Sequence, residues 1–219
     1  MVEVFLNNAT KKIEGEYHQS HNLDAPVVLI LHHHAQYGGS LNTKMIHGVY
    51  NTFIANNFSA LKINFRGVEK FIGTIDKGIG ELTDAAVAVD WIQEHHFSKI
   101  PIWIFGFSFG AWIAMQLTMR RPEIVGFIVI SPPVTRYDFS FLSPCPVPGL
   151  IIQGSHDIIS EKSHVTELAT RLINSLQSHY MEYYIVENTN HFLSDKEEEV
   201  MQIIDRYIKL RLHDNVITI

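Results

Sequence analysis

The chain predicts an α/β fold: a mostly parallel twisted sheet with helices on both faces, an antiparallel hairpin at its N-terminal edge, and one domain over residues 1–219. Apolar runs of strand length alternate with stretches of helical periodicity through most of the sequence, the order that repeated βα units produce. Several of those runs are unbroken aliphatic segments rather than alternating ones, as strands covered on both faces require. A length of 219 residues suits one large α/β domain and is too short for two typical domains with a linker.

Residues 2–6 and 12–17 alternate in polarity on either side of Asn7-Asn8-Ala9-Thr10 and read as the edge hairpin. After Asp24-Ala25-Pro26, Val27–Leu31 is an aliphatic strand that ends in His32-His33-His34-Ala35 and the turn Tyr37-Gly38-Gly39-Ser40. A helix from Asn42 sets Met45, Ile46, Val49, Phe53 and Ile54 on one stripe. Gly48 costs that helix about 1 kcal/mol unless close packing needs it. A strand over 60–65 leads into Arg66-Gly67 and a glycine-spotted loop through Gly80. The next helix, 81–97, turns Leu82, Ala85, Ala86, Val89 and Ile92 inward. A strand over 100–107 and a helix over 111–119 follow, the latter stopped near Arg121-Pro122.

Ile124–Ile130 is a strand closed by Ser131-Pro132-Pro133, and 134–148 is irregular, with prolines at 144, 146 and 148. Fifteen residues are too few for a folded cap, so a site beneath them is expected to open to solvent. A strand over 149–153, a cleanly periodic helix over 161–176 and a last strand, Met181–Val186, complete the alternation. The closing helix is expected to begin at Ser194, where Ser194 and Glu197 have capping-box spacing, and to run to about Leu212.

A net charge of −6 and the lack of any basic run exclude nucleic acid as a partner. No apolar stretch has the length of a membrane span, and the first ten residues lack the pattern of a signal peptide, so a cytoplasmic location is expected. The single cysteine, Cys145, permits no internal disulfide and fits a reducing compartment; between two prolines it reads as packing or surface.

The chemistry gathers at strand ends. Gly106-Phe107-Ser108-Phe109-Gly110 has the Gly-x-Ser-x-Gly pattern and sits between a strand and a helix, the setting in which that pattern makes a nucleophile elbow. A serine hydroxyl attacks poorly unless a base takes its proton and a third group orients the base. In this architecture the order along the chain is serine, acid, histidine. Asp157 follows the strand ending at Gln153 by four residues, and His191 follows Val186 by five, so both reach the same edge in that order. Asp138 is the rival acid.

Two backbone N–H groups are expected to face the developing oxyanion: that of Phe109, next after the serine, and that of His34. Three consecutive histidines at a strand end point to alternating sides and chelate one ion poorly, so neither metal nor cofactor is expected. Arg66 is a candidate for holding a substrate carboxylate, although an ion pair that pins the following loop is the commoner use of such an arginine. Tyr37, Phe71, Phe107 and the 134–148 loop are expected to line a pocket for apolar acyl groups.

These residues resemble the α/β-hydrolase superfamily, and more narrowly its small, capless bacterial branch of uncharacterised serine hydrolases. That branch carries His-Pro-His-Pro-x-x-Gly-Gly, Asn-Phe-Arg-Gly and a glycine-rich stretch before an acidic helix start. Here they read His32-His33-His34-Ala35-Gln36-Tyr37-Gly38-Gly39, Asn64-Phe65-Arg66-Gly67 and Gly78-Ile79-Gly80-Glu81. A proline at the position of His33 has no N–H to offer, consistent with His34 as the oxyanion donor. Both prolines are missing here, and Glu69-Lys70-Phe71 stands where relatives tend to have a glycine and a small polar residue. The resemblance covers roughly residues 26–195. Together with the triad of Ser108, Asp157 and His191 it implies a serine hydrolase acting on a small-molecule carboxylic ester or thioester through an acyl-enzyme; an edge strand or the last helix offers a surface for pairing, so a monomer or a homodimer is expected. The alternatives are a peptidase or amidase with the same side chains, or a non-catalytic binding protein of that fold.

Overall fold

Chain order runs β1 (Val2–Asn8), β2 (Lys11–His18), β3 (Val27–Leu31), α1 (Lys44–Ala55), β4 (Ser59–Ile63), α2 (Ile79–His95), β5 (Ile102–Phe107) and α3 (Phe109–Thr118). It continues through β6 (Ile124–Ile130), β7 (Gly149–Gly154), α4 (Lys162–Ser175), β8 (Met181–Val186) and α5 (Glu197–His213), with one 3-10 turn at Ala35–Tyr37. These elements come from a computed structural model that describes residues 2–8, 11–70, 73–96, 99–142, 144–175 and 181–213. The described strands form an eight-stranded sheet in the order β1-β2-β4-β3-β5-β6-β7-β8. β2 pairs antiparallel with β1 and β4, and every later pairing is parallel.

Alternation along the strands divides the core into two layers. On β3, Val27, Leu29 and Leu31 turn to the layer that also holds Ala85, Val89 and Ile92 of α2, Ile113 of α3 and Leu168 and Leu172 of α4. Val28 and Ile30 turn to the other layer, with Met45, Val49 and Phe53 of α1 and Ile204, Tyr207 and Ile208 of α5. The central strands are buried along their whole length, and that is the reason they read as continuous aliphatic runs.

Several boundaries differ from the sequence reading, each for a local reason. α1 begins at Lys44 with Thr43 as N-cap, because the Thr43 hydroxyl and N–H both turn back to the Ser40 carbonyl. α2 begins at Ile79, ahead of Glu81, whose buried carboxylate accepts the N–H groups of Asp76 and Gly78 at 2.8 Å each. α3 begins at Phe109, directly after the turn at Ser108. The capping box at Ser194 is not what starts α5. Leu193 and Asp195 adopt φ of 51° and 67°, Leu193 is fully buried, and the helix starts at Glu197 once that turn is complete. The predicted helix ends at Phe97 and Leu176 lie outside the described residues.

Between β6 and β7, the described residues of 131–148 form neither helix nor strand, so no folded cap rises from this connection. No helix among the described residues is long and apolar enough to cross a membrane.

The loop after β4 is fixed by a partly buried ion pair. Arg66 donates through Nε and Nη2 to the two oxygens of Asp84 at 2.7 and 2.8 Å, and Nη2 also donates to the Gly80 carbonyl at 2.9 Å. Asp84 is fully buried on α2, and Arg66 gives its carboxylate a charged partner there. Arg66→Met is expected to destabilise the protein by about 3 kcal/mol in urea titrations, because it removes the charged partner of a buried carboxylate. Combining it with Asp84→Leu should recover part of that loss; a double variant no more stable than the single one contradicts the pairing.

Candidate active site

The strand registers put four loops side by side. Leu31 pairs with Gly106, Phe107 with Ile130 and Gly154 with Val186, so the segments leaving β3, β5, β7 and β8 emerge along one edge. That is the edge at which a wound parallel sheet places its ligands.

Ser108 occupies the turn between β5 and α3 with φ 51° and ψ −114°, a conformation a residue with a Cβ adopts only when its surroundings enforce it. Its N–H donates to Ile130 O and its carbonyl accepts from Ala111 N, each at 2.8 Å. Two glycines let the turn close. A Cβ on Gly106 would lie 2.4 Å from the Gly110 carbonyl oxygen, and a Cβ on Gly110 would lie 2.5 Å from that of His32. The serine is thereby lifted off the sheet while α3 packs against the end of β3.

His191 reaches Ser108 from the loop after β8, with Nε2 2.7 Å from Oγ. Its Nδ1 lies 2.7 Å from Oδ2 of Asp157. A carboxylate only accepts, so Nδ1 carries the hydrogen and Nε2 is left to accept the serine hydroxyl. Asp157 is anchored in turn: Oδ1 accepts from Ile159 N and Ser160 N, and Oδ2 also accepts from Gln153 Nε2, all at 2.8 Å. Burial pushes the Asp157 carboxyl up, but the hydrogen bonds from His191, Ser160 and Gln153 outweigh it and hold the group below its ordinary range. The His191 carbonyl accepts from Ser131 Oγ at 2.8 Å, which ties this loop to the end of β6.

The histidine run divides its work. His32 is fully buried; its Nδ1 lies 2.5 Å from the His33 carbonyl and its Nε2 accepts the Phe65 N–H at 3.0 Å. Nδ1 therefore carries the hydrogen, and the neutral ring bolts the loop after β3 to the end of β4. Burial lowers its pKa from 6.5 to about 3. His33 packs its ring on Phe107 and Phe192. His34 caps the 3-10 turn, accepting the Gln36 N–H on Nδ1 at 3.1 Å, and sets its ring edge-on to Phe109 with centroids 5.0 Å apart. The loop after β3 and the start of α3 thus meet beside Ser108. As the first amide of α3, the Phe109 N–H has no carbonyl of its own helix to bond.

Beside Ser108 and His191 lies a small cleft open to solvent. His33, His34 and Tyr37 form one wall, Phe109 and Tyr137 another, and Pro133, Arg136, Ile159 and Phe192 complete it. The structure brings Ser108, Asp157, His191, His34, Phe109 and Tyr37 together here. It does not bring Arg66, which is committed to Asp84 and Gly80. Phe107 is also displaced from its expected place: it is buried below the cleft, its ring stacked under His191 at 6.3 Å, because its position on β5 sends it to the α1/α5 layer. Asp138 is exposed and bonded to Ser140, so it does not compete for His191. Phe71 lies outside the described residues.

The 134–148 loop does line the cleft, through Arg136 and Tyr137, although sequence reasoning singled out neither; it missed Pro133, Ile159 and Phe192 as lining residues and Gln153 as a support for Asp157. Phe192 was the most accessible of these, since it adjoins His191 on the same loop. Arg136 and Tyr137 lie in an irregular stretch where no period says which side chain turns inward.

No family model matches the chain. It is 44% identical over 212 residues to an uncharacterised protein of Rickettsia prowazekii (strain Madrid E), spanning 95% of this chain and 89% of that one. A crystal structure from Agrobacterium tumefaciens, described as a candidate α/β hydrolase of unknown function, superposes with a TM-score of 0.94 at 40% identity over 98% of both chains. An α/β serine hydrolase homologue from Coxiella burnetii superposes with a TM-score of 0.82 at 25% identity over 94% of this chain and 96% of that one.

The His32 bolt has a signature in stability against pH. Below 6.5 the unfolded chain takes up a proton at His32 that the folded protein refuses until about pH 3. Its contribution is therefore complete above that range and declines on acidification, with about 2 kcal/mol lost by about pH 5. Urea titrations at about pH 7.5 and about pH 5 should show that loss, and a folded His32→Gln variant should show a loss smaller by the same amount. Equal losses in the two proteins contradict the assignment.

Proposed function

Because the chain belongs to the α/β hydrolases, in the branch whose fold has no lid, we propose that it is a serine hydrolase that cleaves carboxylic ester or thioester bonds through an acyl-enzyme. The observation that carries this reading is the unbroken hydrogen-bonded chain from Ser108 to His191 to Asp157, with both links at 2.7 Å, set at a turn of positive φ. Such a turn and such a chain are costly to maintain in a protein that makes no use of an exposed, activated hydroxyl.

In this mechanism Ser108 Oγ bonds to the substrate carbonyl carbon as its proton passes to His191 Nε2. Asp157 keeps the imidazole in the orientation that receives the proton and favours the imidazolium that results. The carbonyl oxygen, now negative, is held by the N–H groups of Phe109 and His34. Collapse expels the alkoxide or thiolate, which takes the proton from His191. Water then adds to the acyl carbon with His191 as base, and release of the acid restores Ser108. Esters are preferred over peptides in this reading because none of the described residues lining the cleft is the acidic kind that grips a substrate amino terminus.

The wild-type protein is expected to hydrolyse short p-nitrophenyl esters faster than amino-acid p-nitroanilides. Ser108→Ala should lower kcat by about 10⁴-fold or more, and Asp157→Asn should approach that loss, because it removes the carboxylate that fixes the imidazole. Ester hydrolysis that survives unchanged in Ser108→Ala contradicts the proposal.

A further inference from the structure

Among the described residues lining the cleft, Arg136 is the one with a permanent charge; the rest are aromatic, aliphatic, histidine, proline or the serine itself. Arg66, the arginine that the sequence singled out for a substrate carboxylate, is bound to Asp84. Arg136 differs from it in what it touches. It is exposed on the β6–β7 connection, and its Nη1 donates to the Tyr37 hydroxyl at 3.2 Å, across from the loop after β3. Arg66, Arg121 and Arg206 each pair with a carboxylate, whereas no described carboxylate lies within ion-pair distance of Arg136.

A neutral phenol is a weak partner for a guanidinium, and it leaves most of the planar donor fork to the cleft mouth. The protein as a whole is acidic, at −6, so a lone cation at this opening runs against the general field. A planar carboxylate matches the fork with two parallel hydrogen bonds. Arg136 and Ser108 line the same small cleft, so an anion held by Arg136 sits close to a carbonyl held at Ser108.

Resting on the serine-hydrolase reading of the same cleft, we propose that Arg136 is a specificity-determining residue that selects esters or thioesters bearing a carboxylate a few bonds from the scissile carbonyl. The rest of the lining then accommodates the short carbon chain between the two ends.

The test compares kcat/KM for p-nitrophenyl hydrogen adipate with that for p-nitrophenyl hexanoate, its neutral counterpart of equal chain length. A second pair, p-(carboxymethyl)phenyl butyrate and p-ethylphenyl butyrate, places the charge on the leaving group and shows which side of the ester faces Arg136. In at least one pair the wild type should prefer the anion by about tenfold or more, mainly through KM. Arg136→Gln should abolish that preference and Arg136→Glu should reverse it. Tyr37→Phe should keep it, which separates recognition of charge from a clasp between the two loops. A preference unchanged in Arg136→Gln, lost as fully in Tyr37→Phe, or absent from both pairs in the wild type overturns the proposal. If the neutral esters are also left intact, the serine-hydrolase reading falls with it; if they are cleaved, only the role of Arg136 falls.

Discussion

The close approach of helix α3 to the end of strand β3 is the constraint on which the site depends. At Gly110 the two backbones come so near that a single added carbon would strike the carbonyls of Leu31 and His32. That proximity has two consequences at once. It forces the chain through positive φ at Ser108, and it brings the loop carrying His34 beside the first amide of α3. The strained serine and the neighbouring N–H groups are products of one packing decision rather than separate features. His32 secures the arrangement from the far side, since its two ring nitrogens hold the backbone of its own loop and that of Phe65.

Charge within the protein is distributed so that the cleft receives little of it. Asp84 and Arg66 neutralise each other between β4 and α2. Lys62, almost wholly buried on β4, is paired with Glu16 and donates to the Leu41 carbonyl. Asp157 is surrounded by donors, so that it remains an acceptor toward His191 despite its burial. What remains at the mouth is Arg136, whose hydrogen-bonding partner there is an uncharged phenol. Buried ions are tolerated where partners satisfy them, and an exposed cation beside an apolar cleft is the arrangement that favours an incoming anion.

Much of this was legible in the sequence because one rule governs it. Alternation of strand and helix fixes a parallel sheet, and a parallel sheet fixes the edge at which loops meet, so the Gly-x-Ser-x-Gly turn, the chain order and the strand ends sufficed to place Ser108, Asp157 and His191 together. The same rule could have corrected Phe107: it shares parity with Trp103 and Phe105 on β5, and all three turn to the α1/α5 layer. Other features follow no period. The start of α5 is set by how Leu193 buries itself, which overrides a plausible cap at Ser194. The work of His32 depends on backbone groups from two elements, and Arg136 projects from a stretch without regular structure, so neither role is encoded in local spacing.

The central claim is that the serine at this tight turn is chemically activated by its neighbours. It is tested most directly by exposing the folded protein to a fluorophosphonate and locating the adduct by peptide mass spectrometry. The account predicts one stoichiometric adduct on Ser108, abolished by prior unfolding and strongly slowed in His191→Ala. Folded protein that stays unmodified at Ser108, or is modified there no faster than when unfolded, contradicts it.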